Sequence, residues 1–217
     1  MQYKDRQTAG LKLASMLKQF KNNEEAIILA LPRGGVPIGA AIAQELNLPL
    51  DIFLVRKLGV IGYEELAFGA IAEDGSLYLN QDLVSQFNIN QDIIDKVSKK
   101  EMALINKRKQ LYNLDIKVSL KALYKNKIII LVDDGIATGA TMLAAIQVLK
   151  TYNIKKLIIA APVAAEDTYE EIKSQVDEIY VPLIPYNFSA VGMWYENFEQ
   201  VSDSDVIRLI KKNKIRN

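Results

Sequence analysis

Five short apolar segments, at residues 26–31, 50–55, 127–132, 157–163 and 178–183, constrain this chain more than any other feature. The run Ala26-Ile27-Ile28-Leu29-Ala30-Leu31 has no polar face and is broken at once by Pro32-Arg33-Gly34-Gly35. Ile128-Ile129-Ile130-Leu131-Val132 is equally apolar and stops at Asp133-Asp134-Gly135. Such runs are strands buried on both faces and ended by turns. Helical spacing separates them: Ala9, Leu13, Leu17 and Phe20 within 5–20, then residues 36–47, about 139–152, and 166–174. Strands alternating with helices predict an α/β fold, an open and mainly parallel sheet with helices on both faces.

The pattern is interrupted between residues 59 and 124, a long excursion whose Gly-rich start is expected to be flexible. Residues 66–80 alternate as a hairpin turning at Glu73-Asp74-Gly75. Residues 91–112 form a long charged helix with Ile93, Ile94, Val97, Leu104 and Leu111 as its apolar stripe. Arg56-Lys57-Leu58-Gly59 closes the second strand, and 203–212 is a tail helix capped by Ser202 or Asp203. At 217 residues, with no repeat or Pro/Ser-rich linker, one domain spanning 1–217 is expected. Residues from about 184 to 217 form a small C-terminal hood and tail.

Two absences narrow the chemistry. Without Cys there are no disulfides, thiolate metal sites or Cys nucleophile. Without His there is no Ser-His-Asp triad, no His base and none of the commonest zinc ligand. Carboxylates, Lys, Arg, hydroxyls, backbone amides and a hard cation remain. A net charge of +1 disfavours a sequence-independent grip on nucleic acid or an anionic membrane. Met1-Gln2-Tyr3-Lys4-Asp5-Arg6 is too polar for a signal peptide, and no apolar run suits a bilayer, so a cytoplasmic protein is expected.

The segment from Ile128 to Thr141 carries chemistry. A buried strand delivers Asp133 and Asp134 to the sheet edge where open α/β sheets bind ligands. Gly135, Ile136, Ala137, Thr138, Gly139, Ala140 and Thr141 then lead into a helix, where successive amides and two hydroxyls suit a phosphate. Paired carboxylates accept hydrogen bonds from vicinal hydroxyls, so a sugar phosphate is inferred. No Gly-Lys-Ser/Thr ending and no Gly-x-Gly-x-x-Gly follows a strand, which removes the Walker A loop and the dinucleotide fingerprint.

This segment resembles the signature of type I phosphoribosyltransferases, which bind phosphoribosyl pyrophosphate (PRPP). Leu31-Pro32-Arg33-Gly34-Gly35 falls where that family has its pyrophosphate loop, and Arg56-Lys57 matches a basic pair before a flexible catalytic loop. Asp5, Arg6, Ala9 and Gly10, with Val191-Gly192-Met193-Trp194-Tyr195, are similar to a bacterial subgroup of predicted phosphoribosyltransferases. The resemblance implies transfer of a ribose 5-phosphate unit from PRPP to a nucleobase or similar amine, releasing pyrophosphate, with Mg2+ assisting. It implies ribose binding and indirect metal contact at Asp133 and Asp134. Pyrophosphate binding falls to Arg33, Gly34, Gly35, Arg56 and Lys57, with Arg33 and Lys57 catalytic. A developing oxocarbenium ion needs positioning and charge stabilisation rather than a protein nucleophile.

Ala137 stands where 6-oxopurine enzymes carry a third acidic residue, and Pro162-Val163-Ala164-Ala165 lacks their basic reader, so guanine and hypoxanthine are disfavoured. Glu64, Glu65 and Glu73 are candidates for the acid or base but read ahead of that as solvated loop charges, and Lys107-Arg108-Lys109 reads as a complement to the helix dipole ahead of phosphate capture. Tyr186, Phe188, Trp194 and Tyr195 cluster in the C-terminal segment as candidates to stack on a base, Trp194 and Phe188 foremost. A PRPP-sensing regulator is the main alternative to an enzyme; a PRPP synthase-like subunit is disfavoured because these 217 residues hold no duplicated domains. A homodimer is left open.

Overall fold

A computed structural model describes residues 2–114 and 119–211. Helix α1 (Arg6–Met16) starts at Asp5, whose carboxylate accepts a hydrogen bond from the Thr8 amide at 2.7 Å. Strand β1 (Ala26–Ala30) leads to α2 (Gly35–Leu46), and β2 (Leu50–Ile52) follows. The chain then forms β3 (Val55–Val60), β4 (Tyr63–Ala72) and β5 (Leu77–Leu79). Helices α3 (Gln81–Gln86), α4 (Gln91–Leu111) and α5 (Leu120–Tyr124) complete the excursion. The core resumes with β6 (Ile128–Val132), α6 (Ala140–Leu149), β7 (Lys156–Ala160), α7 (Glu166–Lys173) and β8 (Glu178–Tyr180), and α8 (Asp203–Lys211) ends the described chain.

The main sheet runs β2-β1-β6-β7-β8, every neighbouring pair parallel. Its central strands are buried on both faces, which is why they read as unbroken apolar runs. Ile28, Ile130 and Ile158 join one core under α1, α2, α4 and α8, while Leu29, Leu131 and Ile159 join another under α6. Helix α1 crosses α2 at Gly10, where an added methyl would lie 2.7 Å from the Ala41 Cβ. Chain order reverses between β1 and β6, one strand being followed outward on each side, so the ligand crevice of this topology lies beyond their C-terminal ends.

The apolar run at 50–55 serves two sheets rather than one. Phe53 still donates its amide to the Ala30 carbonyl (3.0 Å), but the Leu54 carbonyl accepts from the Glu73 amide (3.0 Å), which draws the chain into an antiparallel sheet ordered β3-β4-β5. Arg56 and Lys57 therefore lie within β3, paired with Ile71 and Ala70, and do not close a strand as the sequence suggested. The β4–β5 turn falls where expected, at Gly75 (φ +82°). Glu73, read from sequence as a solvated charge, is instead buried, its carboxylate accepting from the Leu54 amide at 3.3 Å.

Helix α4 buries Ile94, Val97, Glu101 and Ile105, whereas Leu104 and Leu111 of the expected stripe are exposed. The stripe is displaced because Glu101, a charge that hydropathy sends outward, turns in to pair with Arg56. At the tail, the Ser202 hydroxyl accepts from the Asp205 amide (3.1 Å), and Lys212 lies outside the described residues.

Candidate functional site

At the end of β6 the two acidic residues diverge. The Asp133 side chain accepts from the Asp134 amide (2.8 Å), and Asp133 lines a cavity of about 160 Å³ with the 135–141 turn and Val191. Burial, and then the adjacent Asp134 charge, push the Asp133 carboxyl well above the usual range. Asp134 pairs with the N-terminal part of the chain, where Arg6 Nε donates to its Oδ2 at 2.8 Å. Both of those side chains are largely buried.

The 135–141 turn is held by backbone. Ile136 donates to Val163 (2.9 Å), and the Ala137 carbonyl accepts from the Thr168 hydroxyl (2.8 Å). Gly139, at φ +66°, opens α6 with no side-chain cap. A methyl there would overlap Thr168, so both dihedral and space call for glycine. The first amides of α6 have no intrahelical acceptor and lie at the positive end of the helix dipole, a ready anion site.

Ala140 and Thr141 also line a second cavity, of about 320 Å³, reached by Pro32 and by Arg56, Lys57 and Arg108. The two cavities adjoin at the start of α6, where both are lined by Ala140 and Thr141; the pair, called the trough, has the 135–141 turn at one end and Arg56, Lys57 and Arg108 at the other. Gly34 lies against the acidic edge: a Cβ there would overlap the Asp134 Oδ2. At Gly35 a Cβ would lie 2.5 Å from the Val132 carbonyl oxygen. Glycines at 34 and 35 let the β1 turn rest directly against the β6 edge.

Each cation nominated from the sequence has a carboxylate partner. Arg33 lies 3.8 Å from Asp203, which also accepts from the Tyr112 hydroxyl (2.7 Å). Arg56 pairs with Glu101, and Lys57 with the fully exposed Glu65 at 3.1 Å. Trp194 and Phe188 line neither cavity; Trp194 packs partly buried against the core, its indole N–H without an acceptor among the described residues.

The sequence offers no role for Arg6 and only base stacking for Tyr195, which lines neither cavity; both lie in the stretches that carried the subgroup resemblance. Tyr3 and Tyr195 form a parallel bridge, joining the start of the chain to the 191–198 strap. The Tyr195 hydroxyl donates to the Asp134 carbonyl (2.6 Å), and burial raises its pKa. Arg6 also donates to the Glu199 carbonyl (2.7 Å) and stacks 3.9 Å from the Phe198 ring centre. Two distant stretches therefore converge behind one acidic residue.

Fold and site together define an open parallel α/β protein that offers a turn of free helix-start amides, an acidic edge and a cationic wall at its topological switch point. The family model of the phosphoribosyl transferase domain matches residues 59–193. Two curated Mycobacterium tuberculosis proteins, from strains H37Rv and CDC 1551, each named "Putative phosphoribosyl transferase", are 37% identical over 210 residues. That match covers 97% of this chain and 46% of each relative, so the chain spans about half the length of the curated relatives it matches. The crystal structure of TT1426 from Thermus thermophilus superposes with a TM-score of 0.89 at 33% identity, covering 98% of this chain and 99% of that one. AQ2163 from Aquifex aeolicus shares the fold at TM-score 0.50 and 15% identity, over 86% of this chain and 78% of its own. The chain belongs to the phosphoribosyl transferase domain family. Among the described residues, no helix is long and apolar enough to cross a membrane.

Proposed function

We propose that this protein transfers a 5-phosphoribosyl group between PRPP and a nitrogen of a nucleobase or similar amine, with pyrophosphate as the other product. The observation that carries this reading is that Ala140 and Thr141 line both the cavity of the 135–141 turn and the cavity of Arg56, Lys57 and Arg108. A ligand with a phosphate at one end and a diphosphate at the other matches those two ends. In this reading the 135–141 turn takes the 5′-phosphate. Asp133 accepts from the ribose hydroxyls, while Asp134, held by Arg6, fixes the edge on which they rest. Arg33, Gly34, Gly35, Arg56 and Lys57 serve the leaving pyrophosphate, with Arg33 and Lys57 stabilising its charge as the glycosidic bond breaks.

Mg2+ suits this donor set. Among the described residues no group of three or more acidic side chains could cage a metal. Mg2+ prefers one or two carboxylates together with phosphate oxygens and water, and Asp133 beside the trough meets that requirement. When bound, it would neutralise diphosphate charge; the residues above hold and orient the rest. We read residues 1–217 as one transferase-like unit acting in the cytoplasm, with no nucleic-acid or membrane partner and with a homodimer left open.

The alternative, a PRPP-binding regulator with little turnover, draws support from the position of Trp194 and Phe188 outside both cavities. Calorimetry with PRPP and Mg2+ tests binding: the wild type should bind, and Asp133→Asn with Asp134→Asn should not. An unbinding wild type would reject both readings. Pyrophosphate release across a panel of purines, pyrimidines and amines separates them: release with any acceptor supports the transferase, and binding without release supports the regulator.

A further inference from the structure

We infer that Arg108, on the long helix of the excursion, is a diphosphate-binding residue of this trough. The inference rests on the PRPP reading above and adds a side chain that reading does not use.

Glu101, Ile105 and Arg108 fall at i, i+4 and i+7 on α4, so they share one helix face. Glu101 and Ile105 are buried, and that face docks α4 against β3 through the Arg56–Glu101 ion pair. Continued by one turn, the same face carries Arg108 into the wall of the 320 Å³ cavity, beside Arg56 and Lys57. Its neighbour Lys109 is engaged elsewhere, donating to the Glu73 carbonyl at 3.3 Å.

Charge pairing singles Arg108 out. Arg33 has Asp203, Arg56 has Glu101 and Lys57 has Glu65. Among the described residues, Arg108 is paired with no carboxylate, and it is the cation of that cavity whose charge stays uncompensated. A diphosphate entering the trough meets Arg108 without first displacing an anion, and the planar guanidinium offers two parallel donors to phosphate oxygens. Besides the pyrophosphate contact proposed above, Arg56 ties α4 to β3 through Glu101 and so helps set the place of Arg108.

Calorimetry on the full chain with Mg2+ tests this, using pyrophosphate, PRPP and ribose 5-phosphate as separate titrants. A lost charged hydrogen bond corresponds to roughly tenfold or more in affinity. Arg108→Ala should weaken pyrophosphate and PRPP by that factor and leave ribose 5-phosphate unchanged, with Arg108→Lys in between. Lys107→Ala, an exposed neighbour outside the cavity, should match the wild type. Thermal melts should show both Arg108 variants folded, as befits an exposed site where alanine favours the helix. Wild-type pyrophosphate affinity in Arg108→Ala, or equal weakening of ribose 5-phosphate, would overturn the assignment while leaving the PRPP reading standing. A wild type that binds neither PRPP nor pyrophosphate would end both.

Discussion

The phosphate turn and the cationic wall face one trough but are made in different ways. The turn is a single stretch, 133–141, whose binding capacity lies in backbone amides held by Val163, Thr168 and a glycine at positive φ. The wall gathers side chains from the β1 turn, β3 and α4, and two of its cations, Arg56 and Lys57, arrive already paired with acids from elsewhere in the chain, as does Arg33 beside it. Amides need no counter-charge and cost little to keep ready. Clustered guanidinium and ammonium groups repel one another, and the carboxylates offset that repulsion until a stronger anion comes. The turn is preorganised; the wall must exchange partners.

That contrast can be broken first at the acidic edge behind both, at Asp134 and its pair with Arg6. Arg6→Ala would leave a largely buried carboxylate without its cation, costing about 3–5 kcal/mol. The Tm should fall by roughly 10 °C, and adding Asp134→Asn should restore much of it. A melt unchanged by Arg6→Ala would show that Asp134 does not depend on this pair.

Gly139→Ala attacks the turn alone. Positive φ and the overlap with Thr168 together predict about 2 kcal/mol of destabilisation and loss of ribose 5-phosphate binding. Lys57→Ala should leave ribose 5-phosphate affinity intact and slow turnover more than it weakens PRPP binding. If both variants weaken both ligands alike, the two ends are not separable.

Asp133 adds a pH signature. Its carboxyl is raised in the folded protein, chiefly by burial. Below the unfolded value of about 3.9 both states hold the proton and burial of the charge costs nothing. As pH rises through the folded value the group must ionise beside Asp134, and that stability is lost. Asp133→Asn should therefore melt higher than wild type at neutral pH, the difference closing in acid. PRPP, which wants the carboxylate, should bind the wild type less well as pH falls through the same range.

The smallest effect concerns Glu65. Its pair with Lys57 is solvent-exposed, so Glu65→Gln should change stability by less than about 1 kcal/mol. Releasing Lys57 should tighten pyrophosphate a few-fold at low salt, and the gain should fade as salt screens the charges.

The same contrast governs how much could be read from residues alone. The turn is contiguous, so its strand, acids, glycine and hydroxyls stand side by side in the sequence. Leu50 to Val55 looked like one strand because apolar run length does not say to which sheet a residue belongs. Glu101 was invisible because periodicity sends charges outward; only its distant partner Arg56 brings it in. Arg108 was assigned to the helix dipole for the same reason, its role depending on where α4 lands. Arg6 and Tyr195 had a trace, in the two terminal stretches shared with the subgroup, but no spacing rule tied them to Asp134.

Helix α6 begins at the phosphate turn, and its flank packs against β3 and β4, the first of which carries Arg56 and Lys57. It therefore works as a caliper: the gap between the jaws is set by apolar side chains such as Ala144 and Ala70 in the joint. Both also line a third cavity, of about 340 Å³, with Lys57 and Thr138, so bulkier residues there would open the gauge and fill that cavity together. Selectivity for ligand length could then be retuned from inside the core.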